Sequence, residues 1–335
     1  MNGTATALSV AGPPASPRRG RFVAWVAVLL LFVGLLAPLL ANDVPLVARH
    51  DGRWSFPAFA DLVGRPQPGP GDLTWKQWWS RLPAGSDDFA WMPPWPYGPL
   101  ETEAQRQRER PSLTHWCGCD DSGRDVLARL VHGVGTLVWL GLPAVLLAAV
   151  FGTLLGAWAG YCGGLVGIAV ARAIDLFVCF PPFLFLMFAG AVLGSSSLAM
   201  VLVMAAVFWT SFARVVRGEL LGLRERDFVH VARGLGVPEW RILTRHLLPQ
   251  LKGQIGIAAS FCTASACIAE STLSFLGIGP SDTASSWGTM LRDGSAQAVL
   301  GAWHEWLFPT LAIVVVVVTC HTLAERLREA SAAAE

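Results

Sequence analysis

Six apolar stretches, each about as long as a membrane-crossing helix, constrain this chain more than any other feature of its sequence. A helix needs roughly 20 apolar residues to cross the hydrocarbon core of a bilayer. Hydrophobic residues make up 53% of the chain and charged residues 15%, and the mean hydropathy is +0.48, which is typical of a polytopic membrane protein. We therefore predict six transmembrane helices, at 22–40, 136–160, 167–193, 198–216, 253–276 and 306–323.

The distribution of arginine predicts how these helices are oriented. Arg18, Arg19 and Arg21 precede the first stretch and Asp43 follows it, so the positive-inside rule places the N-terminus in the cytosol. Six crossings return the C-terminus to the cytosol and also place the arginine-rich loop 217–252 there. A cleaved signal peptide is the competing interpretation of the first stretch, but its apolar core exceeds the roughly 7 to 15 residues of a signal and no small-x-small cleavage site follows.

The polar segments give the expected domain organisation. The first residues are rich in Ala, Gly, Ser, Thr and Pro and have little to bury, so we expect disorder there. Long outer loops cross the membrane largely regardless of their charge, so the polar segment after the first helix is expected outside. The predicted parts are a disordered cytosolic leader at 1–21, a first transmembrane helix at 22–41, an extracytoplasmic segment at 42–133, a five-helix membrane core at 134–328 that includes the cytosolic loop 217–252, and a cytosolic tail at 329–335.

Tryptophan and proline crowd the centre of the predicted extracytoplasmic segment. The prolines exclude a long helix across the tryptophans, which are Trp75, Trp78, Trp79, Trp91 and Trp95. The structural interpretation is a small subdomain packed on its own aromatic rings, or an aromatic belt at the level of the lipid headgroups. The functional interpretation is an aromatic surface that anchors a protein partner or lines an entrance. We favour the structural interpretation because it is the common use of tryptophan.

The loop 217–252 carries a pattern of two short helices joined by a bend. The first helix is expected from Asp227, Gly236 suits its left-handed cap, Pro238 suits the first turn of the second helix, and Pro249 is expected to end that helix. A bent, arginine-rich helix pair between membrane helices suits the docking of a cytosolic partner. The competing interpretation is an interfacial amphipathic helix whose arginines reach lipid headgroups.

Spacing within this loop resembles the Glu-Ala-Ala loop of ABC-importer permeases. In that pattern Glu-Ala-Ala is followed by three residues and Gly, and then by nine residues and Ile-x-Leu-Pro. The residues that match this pattern are Ala232, Gly236, Leu248 and Pro249. His230 stands where the pattern has Glu, Val231 where it has the first Ala, and His246 where it has Ile.

Flanking stretches resemble the oligopeptide and dipeptide branch of these permeases. Residues 115–129 resemble its His-x-Leu-Gly-Thr-Asp and Gly-Arg-Asp-Val-Leu-Ser-Arg signature, with Cys117 and Cys119 in place of Leu and Thr. Residues 269–279 and 286–291 resemble its Ala-Glu-Ser-x-Leu-Ser-Phe-Leu-Gly-x-Gly and Ser-Trp-Gly-x-Met-Leu. Residues 41–57 and the long outer segment that follows them most resemble the second permease subunit of the microcin C type peptide importer.

This resemblance implies an all-α protein with the type I ABC-importer permease fold, six transmembrane helices and a large extracytoplasmic insertion. It implies an inner-membrane permease that pairs with a second permease subunit, and that works with cytosolic ABC ATPase subunits and a periplasmic solute-binding protein. ATP binding would close the ATPases and move the loop helix with them, giving alternating access. The residues expected to couple the permease to the ATPases are Asp227, His230, Val231, Ala232, Arg233, Gly236, Val237, Leu248 and Pro249.

Charged residues and prolines inside the apolar stretches are further candidates. Glu270 is costly in an apolar helix unless it is paired or faces water, so it either lines the translocation path or is a buried acid hydrogen-bonded to a neighbouring helix. Arg172 and Asp175 lie one helical turn apart and are expected to form a structural pair. Pro181 and Pro182 remove backbone donors and should bend the third helix, which either forms a gate or only shapes packing.

Nothing in the sequence predicts catalysis. It has no Gly-x4-Gly-Lys-Ser/Thr phosphate loop, no Gly-x-Ser-x-Gly and no His-Glu-x-x-His, so we expect neither ATP hydrolysis by this chain nor hydrolase activity. His115, Cys117, Cys119 and Asp120 are a conceivable metal set, but no second Cys-x-x-Cys or His pair supports it. We therefore predict no catalytic residue, no metal, no cofactor and no nucleic-acid partner.

The implied function is the import of peptides or peptide-like compounds of the microcin C type, driven by ATP hydrolysis on separate subunits. The alternatives are a dipeptide, opine or nickel importer of the same branch and, from another class, a membrane processing enzyme. An ion channel is disfavoured because the sequence has no filter-like segment. The cargo is not predicted, because importers of this kind take much of their specificity from the separate binding protein.

Overall fold

The computed structural model describes most of the chain after the predicted leader. The described residues are 17–65, 67–71, 73–83, 86–194, 196–279, 285–297 and 301–333. Most of the predicted disordered leader therefore lies outside the described residues.

The described residues are mostly helical, as the sequence predicts. The helices are α1 Pro17–Leu35, α2 Ala37–Leu40, α3 Pro57–Leu62, α4 Trp75–Ser80, α5 Val126–Thr136, α6 Leu142–Cys162, α7 Gly164–Cys179, α8 Pro182–Leu193, α9 Ser197–Leu223, α10 Asp227–Gly234, α11 Glu239–Arg241, α12 Lys252–Phe275, α13 Trp287–Gln297 and α14 Trp303–Ala332. Short strands are β1 Val47–His50, β2 Arg53–Ser55 and β3 Phe89–Trp91.

Four helical stretches among the described residues are long and apolar enough to cross a membrane. A fifth crossing is formed if α7 and α8 act as one span, and these two helices meet at 84° beside Pro181 and Pro182, which confirms the predicted bend. The first predicted span is shorter than expected, because its apolar helix runs over Arg21–Leu35 and Leu36 leaves helical geometry before α2. The four stretches are Val126–Cys162, Ser197–Leu223, Glu239–Phe275 and Trp303–Ala332.

Helix α5 begins at Val126, and a π-helical turn joins it to α6. The predicted end of the second loop helix is wrong. Pro249 does not end the second loop helix, because a π turn at Ile242–Leu247 and a 3-10 turn at Leu248–Leu251 carry the chain into α12. Pro249 stands in the first turn of the 3-10 segment, where a missing N–H costs little.

Helices α6 and α9 pack closely because glycine recurs every fourth residue of α6. A Cβ placed on Gly152 would lie 2.4 Å from the carbonyl oxygen of Trp209, and one on Gly156 would lie 2.6 Å from the carbonyl oxygen of Ala213. Small residues at this spacing let two membrane helices approach backbone to backbone. The pair forms the centre of the main apolar core, against which α8 and α12 pack.

A small sheet corrects the prediction of an all-α protein. Strand β1 pairs antiparallel with β2 and β3, in the order β2-β1-β3. Ala48 of β1 is buried under Trp75 and Trp78 of α4, which form a separate apolar cluster. These tryptophans are the core of a subdomain, so the structural interpretation is confirmed for them. Sequence patterning missed the strands because each is only three or four residues long.

Candidate functional site

The loop between α9 and α12 forms a helix and a turn whose geometry is fixed by backbone hydrogen bonds. Gly236 adopts a φ of 75°, in the left-handed region expected for it. Its N–H donates to the carbonyl of Arg233 at 2.9 Å, and the N–H of Val237 donates to the carbonyl of Ala232 at 3.1 Å. These two bonds are a Schellman motif, which ends α10 and turns the chain towards α11. The predicted cap at Gly236 is thereby confirmed.

One face of this loop is packed against the ends of the membrane helices. Val229, Ile242 and Leu247 are fully buried, in one apolar cluster with Val216 and Leu220 of α9. Burying side chains of this size contributes about 1.5–3 kcal/mol each. The loop is therefore anchored on the helix bundle.

The opposite face of α10 is apolar but exposed. Val231 is 60% exposed and Leu235 78%, and Phe228 lies beside them at 40%. Charged side chains interleave with these residues, since Asp227 and Arg233 are also exposed. A single exposed leucine is ordinary, but three large apolar residues on α10 and its C-terminal cap form a patch suited to contact.

An ion pair links α10 to α11 and to the end of α6. Arg233 donates to Glu239 at 3.0 Å, and its guanidinium lies 5.6 Å from the centre of the Tyr161 ring. The Tyr161 hydroxyl also donates to Glu239. Because Tyr161 belongs to α6, this trio ties the loop to the end of that helix. The sequence analysis did not identify Tyr161 or Glu239, because they lie 78 residues apart and no sequence pattern links them.

The structure brings most of the predicted coupling residues together in α10 and its cap. Three of the nine are half-buried against the loop's apolar cluster rather than presented outward. The exposed ones are Asp227, His230, Val231, Arg233, Gly236 and Pro249, and the half-buried ones are Ala232, Val237 and Leu248.

Glu270 is buried in α12, and its carboxylate is hydrogen-bonded by serine side chains. Its Oε1 accepts a hydrogen bond from the Ser274 hydroxyl at 2.7 Å, and its Oε2 accepts one from Ser271 at 3.5 Å. A cavity of about 800 Å³ opens on another side of α12, lined there by Cys262, Ser265 and other residues that do not include Glu270. Ser286, next to the start of α13, also donates a hydrogen bond to Glu270. The geometry favours the interpretation of Glu270 as a buried structural acid, hydrogen-bonded within α12 and to a neighbouring element.

The stretch before α5 holds a buried ionic network. Asp120 accepts from Arg124 at 2.7 Å and also from Arg129, and Asp293 of α13 accepts from both arginines at 3.1 Å. Asp120 and Arg129 are both fully buried. The network joins the N-terminal end of α5 to α13. Its arginines stand in the signature stretch, but Asp293 is 164 residues away from Arg129 and no pattern links them.

His115 lies at the centre of a second polar group in this stretch. Its Nδ1 is 2.6 Å from a carboxylate oxygen of Asp125, which also caps α5 by accepting from the N–H of Ala128. Cys119 is fully buried nearby, and burial, with Asp125 and Glu109 beside it, raises the pKa of its thiol to about 12. Of the conceivable metal set, Asp120 is paired with arginines and Cys117 packs in an apolar cluster.

The remaining tryptophans of the outer segment do not share one environment. Trp95 donates to Asp125 at 2.9 Å and lies 5.0 Å from the Trp116 ring, so it helps hold the stretch before α5. Trp91 and Trp79 stay exposed, at 67% and 41%. Of the five tryptophans in the predicted cluster, these two therefore remain candidates for a contact surface, and Trp54 and Trp116 are exposed as well, at 60% and 64%.

Long apolar helices with an anchored, outward-facing loop helix define a multi-pass membrane component that works with a partner. Residues 152–333 match the family described as binding-protein-dependent transport system inner membrane component, and the chain belongs to this family. It is therefore a multi-pass inner-membrane component of an ABC importer and not an enzyme. ATPase subunits and a substrate-binding protein are the partners that this family implies.

Curated relatives agree with the family. The chain is 34% identical over 230 residues to the dipeptide transport system permease protein DppC of Alkalihalophilus pseudofirmus, covering 69% of this chain and 75% of that one. It is 35% identical over 225 residues to the glutathione transport system permease protein GsiD of Pectobacterium atrosepticum, covering 67% and 74%. It is 30% identical over 246 residues to the oligopeptide transport system permease protein OppC of Haemophilus influenzae, covering 72% and 79%.

Proposed function

We propose that this chain is one of two permease subunits of an ABC importer for peptides or peptide-like compounds of the microcin C type. In this proposal it crosses the membrane six times, carries residues 42–133 outside, and docks a cytosolic ATPase through α10. Relatives named for dipeptide, oligopeptide and glutathione transport support a small peptide as cargo. A dipeptide importer is the second candidate, because one of these relatives carries that name.

The exposed apolar face of α10, held on a buried base, is the observation that carries the docking proposal. A docking element must transmit force, so it needs an anchored side and a free side. Val229 supplies the anchored side and Val231 with Leu235 the free side. An interfacial helix on lipid headgroups is the competing interpretation, because the charges of α10 lie on a different side of the helix from its exposed apolar residues. Cross-linking from this face distinguishes a protein partner from lipid.

A pair of charges on α7 supports the second permease subunit. Arg172 and Asp175 pair at 3.6 Å, with Arg172 81% exposed and Asp175 65% exposed, within an otherwise apolar helix. Charges in a membrane helix are expensive when they face lipid, and they usually face protein or water. We infer that the α7 and α8 side of the chain is covered by the second subunit, which would complete a heterodimer.

The cavity beside α12 supports a translocation path on that same side. Its lining is mostly apolar but includes Thr210, Ser211, Arg214, Ser265 and Thr272. A peptide carries amide groups, a carboxylate and apolar side chains, so a mixed lining with one cation suits it. Arg214 is the residue that would meet the carboxylate of a peptide.

Deletion of the gene followed by complementation tests the cargo. A deletion strain that requires one amino acid should fail to grow when that amino acid is supplied only in defined di-, tri- or oligopeptides, and it should resist a microcin C type peptide antibiotic. Restoring this chain should restore both growth and sensitivity. A strain that keeps peptide uptake and antibiotic sensitivity but loses nickel or opine uptake would refute the peptide assignment.

A further inference from the structure

We propose that Glu109, His115 and Cys119 form a zinc site that fastens the segment before α5. Each residue offers one ligand atom, and the three atoms lie within 4.8 Å of one another. Zinc accepts thiolate, imidazole and carboxylate together, usually as a tetrahedral site, and three protein ligands leave its fourth position to water. The site lies outside the loop and the cavity, so it is independent of the proposed function.

The lone pair of His115 is the strongest sign that the site takes a cation. Its Nδ1 faces Asp125, a carboxylate that only accepts, so the ring proton lies on Nδ1. Its Nε2 is then a bare acceptor, and it is buried without any hydrogen-bond partner. An orphaned buried acceptor is costly, and a metal ion is one group that satisfies it.

Asp125 supplies the support that a ligating histidine usually has. Metal-bound histidines almost always donate their other N–H to a carboxylate or carbonyl, which fixes the tautomer and the ring orientation. The contact of 2.6 Å between His115 and Asp125 has this form. Since Asp125 also caps α5, a metal at His115 would be tied mechanically to the start of a membrane helix.

Backbone contacts hold the ligand residues close before any ion binds. The N–H of Cys119 donates to the carbonyl of Glu109 at 2.9 Å, and Cys119 forms an isolated bridge with Asp125. Gly118, at a φ of 80°, permits this approach, because a Cβ there would lie 2.5 Å from the Glu109 carbonyl oxygen. Preorganisation of this kind lowers the cost of ordering the ligands.

Charge and access also suit a divalent cation. The Glu109 and Asp125 carboxylates lie beside the buried Cys119 sulfur. Arg106, which pairs with Glu109 at 3.5 Å, offsets part of their charge. The Glu109 side chain is 32% exposed and provides an entry from solvent. Binding would form a zinc–sulfur bond and release the thiol proton to water, as metal coordination by cysteine requires.

Metal titration of the purified full-length chain, with a histidine-free tag and after chelator treatment, tests the site. We expect one Zn²⁺ per chain with about one proton released, and a thiolate-to-metal charge-transfer absorption when Co²⁺ is used instead. Cys119→Ser should abolish the absorption and His115→Gln should weaken Zn²⁺ binding at least tenfold. Asp125→Asn should weaken it by about 10–100-fold, as loss of a supporting carboxylate usually does.

Two matched variants separate this site from its neighbours. Cys117→Ser lies two residues away, outside the ligand set, and should bind as the parent does. His50→Gln alters the half-buried His50 in a group with Asp51 and Asp88 that could also hold an ion, and it should leave the tight site intact. A parent spectrum without thiolate absorption overturns the proposal even if a variant misfolds. Tight Zn²⁺ binding that survives Cys119→Ser, or that is lost in His50→Gln, also overturns the proposal.

Discussion

Gly236 is the residue at which backbone geometry most directly limits the side chain. At its φ of 75° a Cβ costs about 1–2 kcal/mol, although no other atom lies within 4 Å of where that Cβ would stand. Gly236→Ala should therefore leave membrane insertion intact but reorient the turn after α10 and reduce peptide uptake. Uptake and co-purification of the ATPase measure this effect.

Gly234 is the matched control for this substitution. It lies in α10 two residues earlier, is equally open to solvent, and has an ordinary helical φ. Gly234→Ala should be neutral, or should stabilise the helix by up to about 1 kcal/mol. Equal effects of the two substitutions would contradict the role assigned to the cap.

Arg129 should be the most sensitive residue of the ionic network. Replacing it with Met leaves Asp120 buried with one arginine instead of two, and removal of one partner from a buried ion pair costs about 3–5 kcal/mol. The thermal unfolding temperature of the purified chain should fall clearly. The control is Arg53→Met, at an exposed position of β2, which should shift it little. A similar fall in both variants would argue against the network.

Single residues were predictable where one local rule decided their state. Gly236 was predictable because a cap needs a positive φ, and that rule acts within a few residues. Asp293, a partner of Arg129, was not predictable, because the contact depends on how distant segments meet. In the proposed zinc site His115 and Cys119 stood in the conceivable metal set, whereas Glu109 did not. Glu270 illustrates the difference: its cost in an apolar helix was evident, but its serine partners decide its environment.

At the level of elements, the two faces of α10 should respond differently to the same substitution. Val229→Ala removes buried methyl groups and should cost about 2 kcal/mol of stability. Val231→Ala changes an exposed side chain, so stability should stay within about 0.5 kcal/mol while ATPase affinity falls. Unfolding temperature and ATPase binding, measured on both variants, distinguish the faces. If both variants bound the ATPase as tightly as the parent does, α10 would not be part of the interface.

Helix existence followed from composition, whereas helix ends did not. Apolar length predicted the long membrane helices, and the paired prolines predicted the sharp bend between α7 and α8. The prediction that Pro249 ends the second loop helix was wrong. A proline ends a helix only where its missing N–H would have donated a helical hydrogen bond, and the π and 3-10 turns before α12 do not require that bond. The three-stranded sheet was not predicted, because strands this short show no clear alternation of apolar and polar residues. Packing on Trp75 and Trp78 stabilises them instead.

For the whole molecule, membrane topology is a prediction that labelling tests. A cysteine placed at Ser80 in the outer segment should react with a membrane-impermeant maleimide in intact cells, above the labelling of the unmodified chain. A cysteine placed at Thr244 in the loop should react only after lysis. Both positions are exposed, so burial does not explain a difference. Labelling of Thr244→Cys in intact cells would contradict the predicted orientation.

The assembly as a whole was only partly accessible to sequence reasoning. Membrane location and transporter class followed from hydropathy and from motifs that the family match supports. The surfaces that meet partners did not follow, because exposure depends on which side of each helix packs inward. Arg172 and Asp175 are an example, since their pairing was predictable and their exposure was not.

The docking of an ATPase on α10 is the central claim, and photo-cross-linking tests it most directly. A photoreactive phenylalanine at Leu235, the most exposed apolar residue of the loop, should cross-link to the ATPase subunit in membranes that contain the whole importer. The same probe at Trp25, an exposed residue of α1, should not. Cross-linking from Leu235 to lipid or to the second permease alone, with none to the ATPase, would contradict the account.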